Sequence, residues 1–241
     1  RGANVVLEVQ PELARLLSPL PGVAAVIARG KPLPRFDCHC PLLSLPLAFA
    51  TELATIPAQI PYVAPADHDV ALWRERLPRR RPLIGLAWSG ERSHDNDRNR
   101  SLRLETLLPL LQTRDVTFVS LQHEVRDEDA DLLQDQSAVV HIGDRFRDFA
   151  DTAAAVSLLD AVISADTAVA HLAGAMGKSL LLLLPFGADF RWLRERDDSP
   201  WYPTARLFRQ PAFGDWTSVV ALLRQQLMHA EFFQSAHRRS A

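Results

Sequence analysis

Apolar and polar residues run along this chain in two rhythms, and the change falls near Pro82. Beyond it, apolar runs of strand length stand at Leu83–Trp88, Thr117–Leu121, Ala138–Ile142, Asp160–Ser164 and Leu180–Leu184. Stretches with helical spacing of apolar residues separate them, near Leu104–Gln112, Asp127–Gln134, Asp148–Ser157 and Ala168–Met176. Such alternation specifies the α/β class, a parallel sheet with helices on both faces. Ligands of these sheets bind beyond the carboxyl ends of the strands.

The first eighty residues are less regular. Asn4–Val9 and Val23–Ile27 read as strands, and Pro11–Leu17 reads as a short helix between them. Phe36–Cys40 fits a short strand or bridge, and Leu42–Phe49 a helix interrupted by Pro46. Pro57, Pro61 and Pro65 forbid regular structure and predict an extended crossing. A helix then runs from Asp67 to about Leu77, and Arg79-Arg80-Arg81 forms a solvated linker. Gly214–Phe233 predicts a last long helix placed to pack across both halves, followed by a polar tail from Ser235. The expected division is 1–80, 81–213 and 214–241. The chain opens at Arg1 with a strand as its first element, so the pattern reads as the tail of something longer.

The stretch Leu158–Gly177 organises the second half. Its apolar run is a buried strand, Ser164-Ala165-Asp166-Thr167 turns, and Ala168–Met176 forms a slim helix closed by Gly177. The first amides of a helix have no intrahelical partner, so this corner is suited to an anion. His171 falls one turn after Thr167 on the same helix face. The same residues also fit a plain cap by Asp166 or Thr167 with an interior histidine.

Charge and composition narrow the function classes. The 241 residues carry a formal charge of −2, which gives no electrostatic reason to expect nucleic acid. All cationic side chains except Lys31 and Lys178 are arginines, suited to bidentate grip on phosphate or carboxylate. Cys38 and Cys40 are two apart, read as buried and reduced, and with His39 do not complete a zinc site. No signal peptide or membrane-length apolar run is present, so a cytoplasmic protein is expected. Gly-x-x-x-x-Gly-Lys-Ser/Thr, Gly-x-Gly-x-x-Gly and Gly-x-Ser-x-Gly are all absent.

The remaining loops at the carboxyl ends of the strands are polar or aromatic. Ser89–Ser101, with Gly90 and the guanidiniums of Arg92, Arg98 and Arg100, has the equipment for a pyrophosphate. Gln122-His123-Glu124 can hydrogen-bond a ribose or base edge, and equally suits an acidic helix start. Asp148 or Asp151 caps a helix. Pro185–Trp192, with Phe186, and Trp201-Tyr202-Pro203 fit stacking on a base or sugar, or simple packing.

Asp166-Thr167-Ala168-Val169-Ala170-His171-Leu172-Ala173-Gly174 resembles the Asp-Thr/Ser-Gly-x-x-His-Leu-Ala signature of glycosyltransferase family 9, the lipopolysaccharide heptosyltransferases. Trp88-Ser89-Gly90, His94–Ser101, Ser120-Leu121-Gln122, Asp148–Ala153 and Leu183–Phe186 resemble the bacterial members that follow tetratricopeptide repeats. The resemblance implies a GT-B-like architecture of two Rossmann-like domains, the first truncated at its amino end. It implies a nucleotide-sugar donor, no metal or other cofactor, and an acceptor that is a protein, a glycan or a lipid-linked sugar. Carried over, Asp166-Thr167-Ala168 receives the diphosphate with Ser89, Gly90, Arg100, Ser101 and His171 around it. Gln122, Glu124 and Phe186 fall to the nucleoside. Ala168 replaces the signature's glycine, and no residue is assigned as the general base.

The leading expectation is therefore a glycosyltransferase-like domain. Two others fit the same residues: a non-catalytic nucleotide- or partner-binding remnant, and a nucleotide-sugar epimerase of the same architecture.

Overall fold

In the computed structural model, which describes residues 2–228, the second half of the chain forms a six-stranded parallel sheet. The first half begins with strand β1 (Val5–Val9), helix α1 (Pro11–Leu17) and strand β2 (Val23–Ala28), and β1 and β2 pair in parallel. A one-turn helix, α2 (Leu45–Ala48), and a longer one, α3 (Asp67–Arg76), complete it. The sheet strands are β3 (Leu83–Ala87), β4 (Thr117–Ser120), β5 (Val139–His141), β6 (Ala161–Ala165), β7 (Leu180–Leu184) and β8 (Ala205–Arg209). Helices α4 (Asp97–Arg100), α5 (Leu104–Leu111), α6 (Asp127–Asp135), α7 (Phe149–Ser157), α8 (Ala168–Ala175) and α9 (Trp216–Met228) accompany them.

The spatial order is β5-β4-β3-β6-β7-β8. The chain winds outward from β3 to β5, then returns to the far side of β3 to place β6. The direction of winding therefore reverses between β3 and β6, and the crevice above that point is where such sheets bind ligands. Core strands β3, β6 and β7 are buried along their whole length, as strands covered on both faces must be. One face of the sheet packs Ile84, Leu86, Phe118, Ile163 and Leu181 against α5 and α9. The other packs Leu83, Val119, Val162, Leu180 and Leu182 against α3, α7 and α8.

The first half is held to the second through α7 and α8. Leu16 and Val63 pack on Leu172 and on Ala150, Ala153 and Ala175, whose small side chains permit the approach. Arg15 of α1 sits at the centre of the polar contacts. It donates to Asp69 at 2.5 Å, to Asp148 at 2.6 and 2.7 Å and to Asp151 at 2.8 Å. Asp148 also accepts from the Ala150 and Asp151 amides, capping α7 as expected.

The structure corrects or completes several of these expectations. β8 was not read from the sequence, because Arg206 and Arg209 break its apolar run; it is an edge strand, where such side chains can face outward. Phe36–Cys40 forms no strand, and Cys38 and Cys40 are exposed free thiols. No neighbouring strand offers that segment a hydrogen-bond ladder, and Pro34 and Pro41 bracket it. Leu42–Ser44 is a 3-10 turn that runs straight into α2, and Pro46 is the second residue of α2, in the first turn where its missing N–H costs no helical bond. As far as Met228, α9 packs against α5 and β8 in the second half. The expected helix end at Phe233, the tail from Ser235 and Arg1 lie outside the described residues.

Candidate functional site

The winding reversal puts two of the predicted loops side by side. β3 runs into Trp88-Ser89-Gly90, and β6, its neighbour in the sheet, runs into Asp166-Thr167. The β3 loop is held from beneath by Gln122. Its Oε1 accepts from the Trp88 and Ser89 amides, both at 3.1 Å, while Nε2 donates to the Ser89 carbonyl at 2.9 Å and the Glu124 carbonyl at 3.1 Å. Both lone pairs and both protons of this buried amide are thus engaged within the protein. Trp88 is pinned as well, its indole N–H donating to Asp129 at 2.8 Å.

Above Gln122 the loop folds over α4. The Gly90 amide donates to Ser101 Oγ at 3.0 Å, and that hydroxyl donates to Asp97 at 2.6 Å. Arg126, which sequence reasoning did not single out, ties Asp97, Ser101 and the Gly90 carbonyl together. Of the three arginines expected in this loop, only Arg100 reaches the neighbouring turn, donating to the Asp166 carbonyl at 2.7 Å. A Cβ on residue 90 would lie 2.5 Å from the Arg100 guanidinium, so glycine is what lets that group lie along the loop backbone. Arg92 pairs with Glu128 on the surface, and Arg98 is exposed.

At the head of α8 the amides are open. Thr167 is the N-cap residue, yet its side chain makes no cap bond; its hydroxyl lies 3.2 Å from Ser164 Oγ, which itself donates to the Ala165 carbonyl. The Ala168 and Val169 N–H groups have no acceptor among the described residues, and Ala168 is exposed. Ser89 Oγ, at the end of the adjacent strand, is buried and without a partner. Two amides, a hydroxyl and a guanidinium thus stand around the corner that ends β3 and β6.

His171 lines the same corner from one turn along α8. Its ring stacks on Trp192 at 5.3 Å, its Nδ1 lies 3.1 Å from the Tyr202 hydroxyl, and its Nε2 lies 3.9 Å from Asp166 Oδ1. Burial pushes the imidazole below its usual pKa, with the Asp166 carboxylate acting the other way. Burial likewise raises the Tyr202 phenol, and the Tyr62 phenol from the first half of the chain acts in the same direction. The small residues of α8 have a specific use here: a Cβ on Gly174 would come within 2.4 Å of the Tyr202 ring. The aromatic loops flagged in the sequence therefore supply Trp192 and Tyr202 as packing around His171, while Tyr62 carried no signal beyond its place among prolines.

The predicted nucleoside contacts separate. Exposed Glu124 follows β4 and half-exposed Phe186 follows β7, three strand positions apart, roughly 14 Å at ordinary strand spacing. They stand on opposite sides of the winding reversal. Phe186 rests against Phe213, with ring centroids 4.8 Å apart. The two surface grooves elsewhere on the molecule, beside Trp73 and beside Thr117, share no lining residue with this corner.

The sheet order defines a doubly wound α/β protein with a GT-B-like fold. Among solved structures the chain is similar to the ADP-heptose lipopolysaccharide heptosyltransferase II of E. coli, with a TM-score of 0.54 and 14% identity over 76% of this chain and 57% of that one. Among curated proteins it is similar to Protein FlbA of Caulobacter vibrioides, 28% identical over 193 residues. That match takes in 77% of this chain and 32% of FlbA, so the chain spans about a third of the curated relative's length. No protein-family model matches the chain. No helix among the described residues is long and apolar enough to cross a membrane.

Proposed function

We propose that this chain is a glycosyltransferase domain that takes a sugar from a nucleoside diphosphate donor and passes it to an acceptor. The observation that carries the reading is the pair of unpartnered amides, Ala168 and Val169, at the winding reversal with Arg100 tied to the same turn. A sugar leaving a diphosphate shifts negative charge onto that diphosphate. Fixed N–H dipoles and a guanidinium already in place stabilise such charge without reorganising. Asp166-Thr167-Ala168 and His171 receive the diphosphate in this reading, with Ser89 and Arg100 on its flank. Gln122 acts by shaping the Ser89 loop, since its amide is fully used, and Glu124 is the side chain on that side free to meet a ribose. Phe186 lies on the other flank and suits the sugar. The likeness in fold to an enzyme of ADP-heptose supports the class of donor. The acceptor is a protein, a glycan or a lipid-linked sugar, and the diphosphate needs no metal because protein donors meet its charge.

Isothermal titration with ADP, UDP and GDP tests the proposal. At least one is expected to bind with micromolar affinity, and to do so equally in the presence of EDTA. A folded protein that binds none of them overturns the reading.

A further inference from the structure

Tyr202, His171 and Asp166 form a line of polar contacts at the head of α8. In the tautomer whose Nδ1–H donates to the Tyr202 oxygen, the neutral ring carries its lone pair on Nε2. Nε2 lies nearest a carboxylate, Asp166, at 3.9 Å, an arrangement that welcomes a proton. Burial and two cations, Arg191 and Arg100, hold that proton off; Asp166 and Asp189 pull the other way. Trp192, on which the ring stacks, contributes no charge. Burial is the largest of these effects and leaves the imidazole below its usual pKa, while charged groups from α4, the β6–α8 turn and the loop after β7 act on it in opposite senses.

We infer that His171 takes up a proton from solvent when a diphosphate occupies the corner at Asp166, so that Nε2 changes from acceptor to donor while Nδ1 keeps its bond to Tyr202. This rests on the diphosphate reading given above, which Ser89 Oγ, buried without a partner two residues beyond Ala87, the register partner of Ser164, supports independently of the helix end. An anion a few ångströms away offsets the repulsion of Arg191 and Arg100 and outweighs the effect of burial. The proton gives the site a cation for the diphosphate in addition to Arg100, present only when the ligand is. Affinity is then linked to pH: it is highest where the proton is readily available and declines as the pH rises.

The test uses the whole chain with ADP, UDP and GDP in turn, between pH 7 and 8.5, where the terminal phosphate of the free nucleotide is already ionised. The affinity of the wild-type protein is expected to fall by up to about tenfold per pH unit, and that of His171→Gln to stay level. NMR on wild-type protein gives the second measurement, which needs no variant. The imidazole that shows a contact to the Trp192 indole is expected to carry the signals of a neutral ring when free and of an imidazolium when the nucleotide is bound. Binding that does not vary with pH, an equal slope in His171→Gln, or a ring that stays neutral in the complex overturns this inference alone. Failure of all three nucleotides to bind overturns it together with the diphosphate reading.

Discussion

At the scale of single residues, Ser89 and Gln122 show two opposite uses of a buried polar group. Gln122 spends its whole amide on neighbouring backbone and fixes the shape of the loop after β3. Ser89, next to it, is 4% exposed and its hydroxyl has no partner at all. A buried hydroxyl left unpaired costs free energy, which the structure tolerates where a ligand will supply the missing bond. Ser89→Ala is therefore expected to leave stability unchanged or raise it by up to about 1 kcal/mol, and to weaken nucleotide binding by roughly threefold to tenfold. Urea unfolding and titration calorimetry on the same variant separate the two effects. A loss of stability with unchanged affinity would mean that the hydroxyl serves the fold.

At the scale of elements, α8 is the piece that joins backbone to chemistry. Its run of Ala and Gly was readable as a slim helix, and its ends fall within a residue of the expected Ala168–Met176. What it is slim for was not readable. Tyr202 lies against Gly174, and Tyr62 donates its amide to the Ala175 carbonyl at 3.0 Å, so residues far apart in sequence close on one face of this helix. Gly174→Ala gains up to about 1 kcal/mol of helix propensity but drives a methyl group into the phenol ring, at a cost of about 1–3 kcal/mol. The expected net result is a destabilisation of about 1–2 kcal/mol in urea, together with altered Trp192 fluorescence as Tyr202 and His171 shift. The α7 cap makes a useful contrast: the sequence narrows it to Asp148 or Asp151, because a cap bond is local, and the structure has Asp148 accepting from amides two and three residues on.

At the scale of the whole molecule, the Arg15 cluster governs how the first half sits on the sheet. Arg147 and Arg15 hold the Asp151 carboxyl well below the usual range against the effect of burial. Burial opposes ionisation of Asp148, but Arg15 and the α7 amides outweigh it and lower its pKa too. Both groups titrate lower folded than unfolded, so their stabilisation is complete above about pH 4 and is lost as the pH falls through the folded values. The urea midpoint is expected to be level from pH 7 to about 5 and to fall steeply below about 4. Arg15→Met lowers the plateau by roughly 2–4 kcal/mol, less than for a fully buried pair because Arg15 is 35% exposed, and makes the acid limb shallower. A wild-type midpoint that holds steady to pH 2.5 would contradict this. The sequence by itself determined the α/β class, five of the six sheet strands within a residue or so, and the turn at Asp166, since apolar periodicity and local capping act over a few residues. Only the tertiary structure decided that β6 lies beside β3, that Arg100 rather than Arg92 or Arg98 reaches Asp166, that Arg126 closes the loop, and that Glu124 and Phe186 stand apart. Those facts depend on strand order and on side-chain contacts between segments tens of residues apart, and such contacts leave no periodic mark in the chain.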